Sequence, residues 1–248
     1  MKLKYIIVVF LLVNSCKKST NYLNKITANT IAIDSTLKPN TEIDSIINPY
    51  KEKLASEIEQ ILSYTPKTLT KDDGNMQSTL GNLMADFCLI EANSIFKKLT
   101  NTSIDFAIFN HGGMRTPIAK GDITLEHVFK LMPFDNELVV VTLTSDKVIE
   151  LVKYFIKNEK AHPLSNDVQL NIEENDYSLV INGNPFDQNK TYTVLTSDYL
   201  QNGGDKMDFF IKPKKLVKLD LKVRDAIIKH LKKIDTVKVE LDKRVIIK

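Results

Sequence analysis

Three strand candidates follow one another without a helix between them, and this feature limits the folds open to the chain most strongly. They are VQLNI (168–172), YSLVI (177–181) and TYTVLTS (191–197), which are rich in β-branched residues and separated by turn residues. A regular doubly wound sheet would place a helix after each strand. The sequence therefore predicts an α+β fold in which mixed sheets are flanked by helices.

The remaining patterns supply the helices and further strands of such a fold. Helical periodicity or a start signal marks five segments: 50–62, 81–99, 124–132, 145–158 and 221–234. Further strand candidates are 103–109, 137–144 and 237–247. The first two helices are predicted to bury one face each: Leu54, Ile58, Ile61 and Leu62 in the first, and Leu83, Phe87, Ile90 and Ile95 in the second. Thr124 and Ser145 are the predicted N-caps of the next two.

The N-terminus reads MKLKYIIVVFLLVNSC, two early lysines and a short apolar run that ends at Cys16. The run is shorter than a bilayer-spanning helix and has the length of a signal-peptide core. A cysteine after a small residue at this point resembles the bacterial lipoprotein signal, in which the thiol is acylated. An ordinary signal peptide with an unrelated cysteine is the alternative.

The sequence thus predicts a lipoprotein-type signal peptide at 1–15 with lipidation at Cys16, a flexible tether at 16–48 and a globular domain at 49–248. The tether assignment follows from a segment rich in Ser, Thr, Asn and Lys. The expected location is the bacterial cell envelope, anchored to a membrane, with the periplasmic and cell-surface sides both open. A diacyl anchor holds a protein at a membrane more firmly than one chain would.

Charge and cysteine content narrow the function classes. The net charge of +3 is spread over many lysines, which does not indicate binding to a nucleic acid polymer. The chain has two cysteines, Cys16 and Cys88, so a lipidated Cys16 leaves no disulfide within the chain. Cys88 lies in an apolar helical run and is predicted to be a small buried hydrophobe.

Two glycine pairs, in FNHGGMR (109–115) and LQNGGD (200–205), each follow a strand and an asparagine. Glycine pairs let backbone N–H groups approach a ligand closely, although a tight turn explains either pair alone. Each loop ends in a charged residue, Arg115 or Asp205, and this similarity favours one shared ligand site.

Two aromatic residues, Phe134 and Tyr199, are predicted to lie in loops near these glycine pairs. Each could instead belong to a small satellite of the core. Together with an arginine, an aspartate and two asparagine amides, the rings suit a flat heterocycle that is stacked between them and hydrogen-bonded at its edge and sugar.

The segment FNHGGMRTPIAKGDITLEHVFKLMPFDNELVVVTLTSDKVIELV (109–152) resembles the C-terminal domain of 5′-nucleotidases. That family reads Asn-Gly-Gly-Gly-Ile-Arg, Gly-x-Ile-Thr and Pro-Phe-x-Asn in this order, followed by a strand and a helix. TLGNLMADF (79–87) is similar to its Gly-Asn-Leu helix, and YTVLTSDYLQNGGDKMDFF (192–210) to its closing Gly-Gly-Asp-Gly segment. The resemblance covers residues 79 to 210 and implies the fold of that domain.

The resemblance also implies roles for individual residues. Phe134 and Tyr199 match the two aromatic residues that sandwich the nucleobase, with tyrosine in place of the more usual phenylalanine. Arg115 matches an arginine that contacts the sugar and phosphate side, and Asp205 matches the carboxylate that accepts hydrogen bonds from the ribose hydroxyls. The full set of predicted substrate-binding residues is Asn110, Gly112, Gly113, Arg115, Phe134, Asn136, Tyr199, Gly203, Gly204 and Asp205.

Three departures from the family pattern concern the polar end of this site. His111 and Lys206 stand where the family has glycine, and TKDDGNMQSTLGN (70–82) lacks an arginine that the family has before the Gly-Asn-Leu helix. Because the two-pronged guanidinium suits a phosphate, the missing arginine affects phosphate recognition more than nucleoside recognition.

Full-length relatives carry an N-terminal metallophosphatase domain with a two-metal site. None of the four histidines here stands in the Asp-x-His pattern of that site, and His111 is predicted to line the pocket or lie exposed rather than bind metal. We therefore predict no catalytic residue and no cofactor in this chain, with divalent metals on a partner metallophosphatase.

Three functions remain open from the sequence. The first is the nucleoside- or nucleotide-binding half of a 5′-nucleotidase, completed by a separate metallophosphatase chain. The second is a stand-alone lipoprotein that captures nucleosides or nucleotides for scavenging. The third is a degenerate domain that is retained as a structural partner.

Overall fold

A computed structural model describes residues 22–174 and 176–248. The predicted signal peptide and Cys16 lie outside the described residues. The chain divides into two units after Ile47. In the first unit, residues 22–40 are exposed and contain no helix or strand, and a helix begins at Thr41.

The described residues form an α+β fold, as predicted. The helices are α1 (Thr41–Ile58), α2 (Thr79–Thr100), α3 (Leu125–Leu131), α4 (Ser145–Asn158), α5 (Asp198–Gln201) and α6 (Val223–Leu231). The strands are β1 (Ile61–Thr65), β2 (Phe106–Ala107), β3 (Gly121–Thr124), β4 (Glu137–Thr144), β5 (Val168–Ile172), β6 (Tyr177–Ile181), β7 (Asn184–Pro185), β8 (Thr191–Ser197), β9 (Lys215–Lys222) and β10 (Val245–Ile247).

The central sheet has the strand order β2-β8-β4-β9. β2 runs parallel to β8, whereas β4 runs antiparallel to both β8 and β9. Residues 138–141 of β4 are all buried, so both faces of this strand are covered. α2 and α6 pack against each other and against β9, and α4 packs against β4 and β8.

Two smaller sheets complete the fold. β10, β5, β6 and β7 form a four-stranded mixed sheet, and β1 pairs with β3 in an antiparallel ribbon. β10 is fixed to α2 by Arg244, which is buried and donates to Asp86 on α2 and to the carbonyl oxygen of Leu164. Among the described residues, none of the helices combines the length and the apolar character needed to cross a membrane.

The predicted first helix differs from α1 at both ends. α1 begins at Thr41, inside the segment that the sequence assigns to the tether, because the Asn40 side chain caps it by accepting from the backbone N–H groups of Glu42 and Ile43. At the other end, residues 61 and 62 belong to β1 and not to the helix. Pairing of β1 with β3 overrides the helical spacing of these apolar residues.

The buried face of α2 is close to the prediction but not identical to it. Leu83 and Phe87 are buried as expected, whereas Ile90 is 53% exposed. The neighbouring Glu91 takes the inner position instead, where its carboxylate meets the ammonium group of Lys233. A buried carboxylate is tolerated where it is paired with a cation.

The N-cap predictions for the two following helices have different outcomes. Thr124 is the N-cap of α3, and its backbone N–H donates to Nδ1 of His127 at 3.0 Å. The prediction for α4 was wrong by one residue, because the Thr144 side chain caps it by accepting from the N–H of Lys147. Ser145 is the first residue of the helix.

Candidate functional site

The central sheet brings three separate loops to one of its ends. Because β2 and β8 are parallel, the loops that follow them, each with one glycine pair, leave the sheet on the same side. β4 is antiparallel to β8, so the loop that precedes β4 and carries Phe134 lies at that end as well. The strand order thus explains why segments far apart in sequence meet.

A cleft of about 280 Å³ lies between these loops. Eight of the ten predicted site residues line it: Asn110, Gly112, Gly113, Arg115, Phe134, Asn136, Tyr199 and Asp205. Phe134 is 39% and Tyr199 44% exposed, so both rings are open to solvent rather than part of the core. Two accessible rings beside a few polar groups are typical of a small-molecule site.

The carboxylate of Asp205 joins the two glycine loops. Its Oδ2 accepts from Nδ2 of Asn110 at 2.7 Å, and its Oδ1 accepts from the hydroxyl of Tyr199 at 2.9 Å. The Asp205 carboxylate raises the pKa of Tyr199 because it accepts the phenolic proton in a hydrogen bond. The backbone carbonyl of Asp205 accepts from the hydroxyl of Tyr154 at 2.8 Å. The carboxylate is therefore held in one orientation at the edge of the cleft.

Gly203 and Gly204, the other two predicted site residues, are not among the residues that line the cleft. Gly203 has a φ of 88°, in the left-handed region that favours glycine. At Gly204 a β-carbon would lie 2.5 Å from the ring of Tyr199. In this structure the second glycine pair therefore shapes the loop and lets the Tyr199 ring lie against the backbone.

The loop after β2 is held from several sides. The backbone N–H of Arg115 donates to the carbonyl of Leu131 on α3, and its guanidinium donates to the carbonyl of Gly112. The guanidinium also lies 6.0 Å from the ring centroid of Phe134, within the range of a cation–π contact. Among the residues that line the cleft, Arg115 is the one with a positively charged side chain.

His111 lies beside the cleft, but it is not one of the lining residues. Its Nε2 is 2.8 Å from Oδ1 of Asp72, and its backbone N–H donates to Nδ1 of the buried His162. Residues 22–174 and 176–248 contain no group of three or more His, Cys, Asp or Glu side chains that could hold a metal ion.

Two further residues hold the loop that carries Phe134. Arg224, on α6, donates to the carbonyl oxygens of Met132 and Phe134 and to the carboxylate of Asp135. At the other end of the loop, Oδ1 of Asp198 accepts from the backbone N–H groups of both Glu137 and Tyr199.

The sequence did not single out these supporting residues. Tyr154, Asp198 and Arg224 lie within helices, and nothing in their local pattern shows which loop each would reach. His162 occurs in a connecting segment without a motif. These four residues could have been identified only with knowledge of the strand order. The strand order in turn depends on pairing between segments that are distant in the sequence.

Comparison with known proteins identifies a family whose match includes the cleft residues. A profile of the family described as 5′-nucleotidase, C-terminal domain, matches residues 61–212, which is more than half of the chain. All of the residues that line the cleft fall within this range.

Individual proteins are similar over much of the chain. Protein UshA of Escherichia coli strain K12 is 27% identical over 173 residues, which are 67% of this chain and 30% of that protein. The trifunctional nucleotide phosphoesterase protein YfkN of Bacillus subtilis strain 168 is 26% identical over 215 residues, which are 78% of this chain but 14% of that protein. The chain thus spans less than a third of each.

A solved structure shows the same fold. The 5′-nucleotidase precursor from Thermus thermophilus superposes with a TM-score of 0.68 at 19% sequence identity. The superposition covers 84% of this chain and 43% of that one.

Proposed function

Because this chain belongs to the family of 5′-nucleotidase C-terminal domains, we propose that it binds the nucleoside part of a nucleotide for hydrolysis by a separate metallophosphatase chain. Family membership supports a nucleotide-binding role in general. The single observation that carries the proposal further is the cleft, in which Phe134 and Tyr199 stand as accessible rings with Asp205 and Arg115 beside them.

Each lining residue has a proposed task that follows from its chemistry. The nucleobase stacks between Phe134 and Tyr199, and the amides of Asn110 and Asn136 face its edge. Asp205 accepts hydrogen bonds from ribose hydroxyls, and Arg115 faces the sugar and phosphate side. Gly112 and Gly113 let the backbone approach the ligand.

The proposed partner supplies the reaction itself. A two-metal site activates a water and stabilises the in-line displacement at phosphorus. This domain would hold the base and sugar, so that the phosphate is presented to the partner's metals in a fixed position. Binding energy from the part of a substrate that does not react is used in this way to position the part that does.

Stand-alone capture of nucleosides or nucleotides is the second candidate, and the charge of the cleft favours it. The lining contains one cation, Arg115, and one carboxylate, Asp205. Such a balance suits an uncharged nucleoside as well as a nucleotide, because phosphate binding usually draws on more than one cationic or N–H donor. Hydrolysis experiments distinguish the two candidates.

Binding is tested with the purified protein by calorimetric titration of adenosine and AMP. Phe134→Ala and Tyr199→Ala should each weaken binding by about 1–3 kcal/mol, which is the usual value of one stacked base. Tyr50→Ala is the matched control, because Tyr50 is 74% exposed on α1 and does not line the cleft. Unchanged affinity in both cleft variants would contradict the proposed site.

Catalysis is tested by release of phosphate from AMP. The split-enzyme proposal predicts no release by this protein alone, and release when a metallophosphatase chain encoded beside it is added with divalent metal. Stand-alone capture predicts binding without release in either case. Rapid hydrolysis by this protein alone would contradict both.

We also propose that the domain is attached to a bacterial membrane through lipid on Cys16. The support comes from the N-terminal sequence, in which a short apolar run ends at this cysteine. Such an anchor would retain the binding domain in the cell envelope, where external nucleotides arrive.

A further inference from the structure

The hydroxyl of Tyr199 makes two hydrogen bonds to a single residue. It donates to Oδ1 of Asp205 at 2.9 Å and accepts from the backbone N–H of Asp205 at 3.3 Å. A phenylalanine at this position would keep the ring and lose both bonds. The hydroxyl therefore ties the ring to Asp205, which the ring alone would not do.

Asp205 needs such support because its backbone is strained. Its φ is 52° and that of the next residue, Lys206, is 61°, so two successive non-glycine residues occupy the left-handed region. Such conformations persist where the surroundings fix them, and they concentrate at functional sites. Here Tyr199, Asn110 and Tyr154 together make four hydrogen bonds to Asp205.

The hydrogen bonds leave part of the carboxylate free. An ionised carboxylate offers about four lone-pair positions on its two oxygens. Tyr199 uses a position on Oδ1, and Asn110 uses one on Oδ2. Each oxygen therefore keeps capacity for one further donor, and Asp205 lines the cleft. Two neighbouring hydroxyl groups of a ligand match this arrangement, with one donor for each oxygen.

We propose that the Tyr199 hydroxyl is a positioning group, which fixes the Asp205 carboxylate so that the cleft selects ligands with a vicinal diol. This inference rests on the proposed function, since it assumes that a nucleoside occupies the cleft. It assigns the hydroxyl to recognition of the sugar and the ring to stacking. The two tasks of one side chain can then be separated by substitution.

The experiment compares adenosine with 2′,3′-dideoxyadenosine, which lacks both hydroxyls, in calorimetric titrations of the parent protein and Tyr199→Phe. The affinity for adenosine should fall about three- to tenfold in Tyr199→Phe, as expected for a lost hydrogen bond of about 1 kcal/mol. The affinity for the dideoxy compound, which has no hydroxyl group to donate to Asp205, should fall much less. The ratio of the two affinities is the decisive quantity, because a general loosening of the loop would lower both.

Tyr192→Phe is the matched control. It removes a tyrosine hydroxyl that bonds to Asp187 in a turn after β7, outside the cleft, and should leave the ratio unchanged. An unchanged ratio in Tyr199→Phe would overturn the inference but leave the proposed function intact. If the parent protein fails to bind adenosine, the proposed function fails and the inference fails with it.

Discussion

The side-chain amide of Asn110 donates to Oδ2 of Asp205 across 2.7 Å and so links two loops that are 95 positions apart in the sequence. Asn110 is 9% exposed, so the bond is shielded from water on the side of the amide. A buried hydrogen bond to a charged acceptor contributes about 1.5–3 kcal/mol. This hydrogen bond is thus a direct polar link between the two glycine loops that line the cleft.

Asn110→Asp should replace this bond by repulsion between two carboxylates. The neighbouring negative charge raises the pKa of the introduced carboxyl, because two carboxylates at this distance cannot both ionise without cost. A carboxyl with a raised folded-state pKa destabilises the fold above that pKa, and the loss disappears as pH falls below the unfolded value. We expect a deficit of about 1–3 kcal/mol at neutral pH that shrinks toward about pH 4.

Urea unfolding at several pH values measures this deficit directly. Asn110→Ser is the matched control, since it removes the amide without adding a charge, and its deficit should vary with pH much less than that of Asn110→Asp. If the two deficits vary equally across this range, the two side chains do not face each other as described.

Local patterns in the sequence predicted most of the regular elements. The strands 137–144, 168–172, 177–181 and 191–197 and the helix 145–158 have the predicted bounds in the structure. β1 was missed because a short apolar run does not distinguish strand from helix without its partner, and β3 was missed because its sequence, GDIT, contains no apolar run at all. β9 was missed as well, although it pairs with β4 along most of its length.

The candidate site was predicted from residue types and from the resemblance to a family. The pairing of the strands that bring its residues together was not predicted. Eight of the ten residues line one cleft because β2, β8 and β4 are neighbours. The fixed position of Asp205 depends on Tyr154, which is 51 positions away, and could not be read from the loop sequence. Distant contacts of this kind follow from the folded topology alone.

Lys206→Gly should stabilise the protein. Lys206 has a φ of 61°, a conformation that costs about 1–2 kcal/mol for a residue with a β-carbon and nothing for glycine. The greater freedom of glycine in the unfolded chain offsets about 0.4–1 kcal/mol of this gain. A net gain of about 0.5–1 kcal/mol in the free energy of unfolding is expected.

Thermal and urea unfolding check this gain against Lys120→Gly. Lys120 is exposed and is not one of the residues with positive φ, so glycine there should lower stability. A loss of stability in both variants would show that the left-handed backbone at Lys206 carries no strain.

Arg224→Met should lower stability and weaken ligand binding together. The Arg224 guanidinium bonds to two carbonyls of the Phe134 loop and to Asp135, and it stacks at 4.2 Å on the Phe129 ring. Loss of a buried charged donor with several partners costs about 2–4 kcal/mol. A looser Phe134 loop should reduce the affinity for adenosine about tenfold, because the ring must then be ordered on binding.

Lys222→Met is the matched control for this prediction. Lys222 forms an exposed ion pair with the same Asp135 carboxylate at 3.3 Å, and such pairs contribute at most about 1 kcal/mol. Urea unfolding and calorimetric titration are compared for both variants. Equal effects in the two would mean that Asp135, rather than the loop carbonyls, is the important contact.

Cys16→Ser should abolish lipid attachment when the protein is expressed in a bacterial host. Metabolic labelling with a radioactive fatty acid, followed by membrane fractionation, measures the attachment. Cys88→Ala is the control and should keep the label, because Cys88 is buried in α2 and burial raises the pKa of its thiol well above the usual range. Equal labelling of Cys16→Ser and the parent protein would refute the anchor.

His162→Asn should reduce the sensitivity of the protein to acid. Burial, with a smaller contribution from the nearby His111, lowers the pKa of His162 to about 4, although Asp205 opposes this shift. In the unfolded chain the pKa is about 6.5, so the stability that neutral His162 provides is complete above that value. It is lost as pH falls toward about 4, by up to about 3 kcal/mol. Protonation of Nδ1 would also remove the acceptor for the backbone N–H of His111.

Asparagine at position 162 offers an acceptor close to the place of Nδ1 but does not titrate. The unfolding free energies of the variant and the parent protein should therefore converge as pH falls from about 6.5 to 4, even if the variant is less stable at neutral pH. Urea unfolding at closely spaced pH values measures the two curves. Parallel curves would show that His162 is not the group whose protonation destabilises the loop beside the cleft.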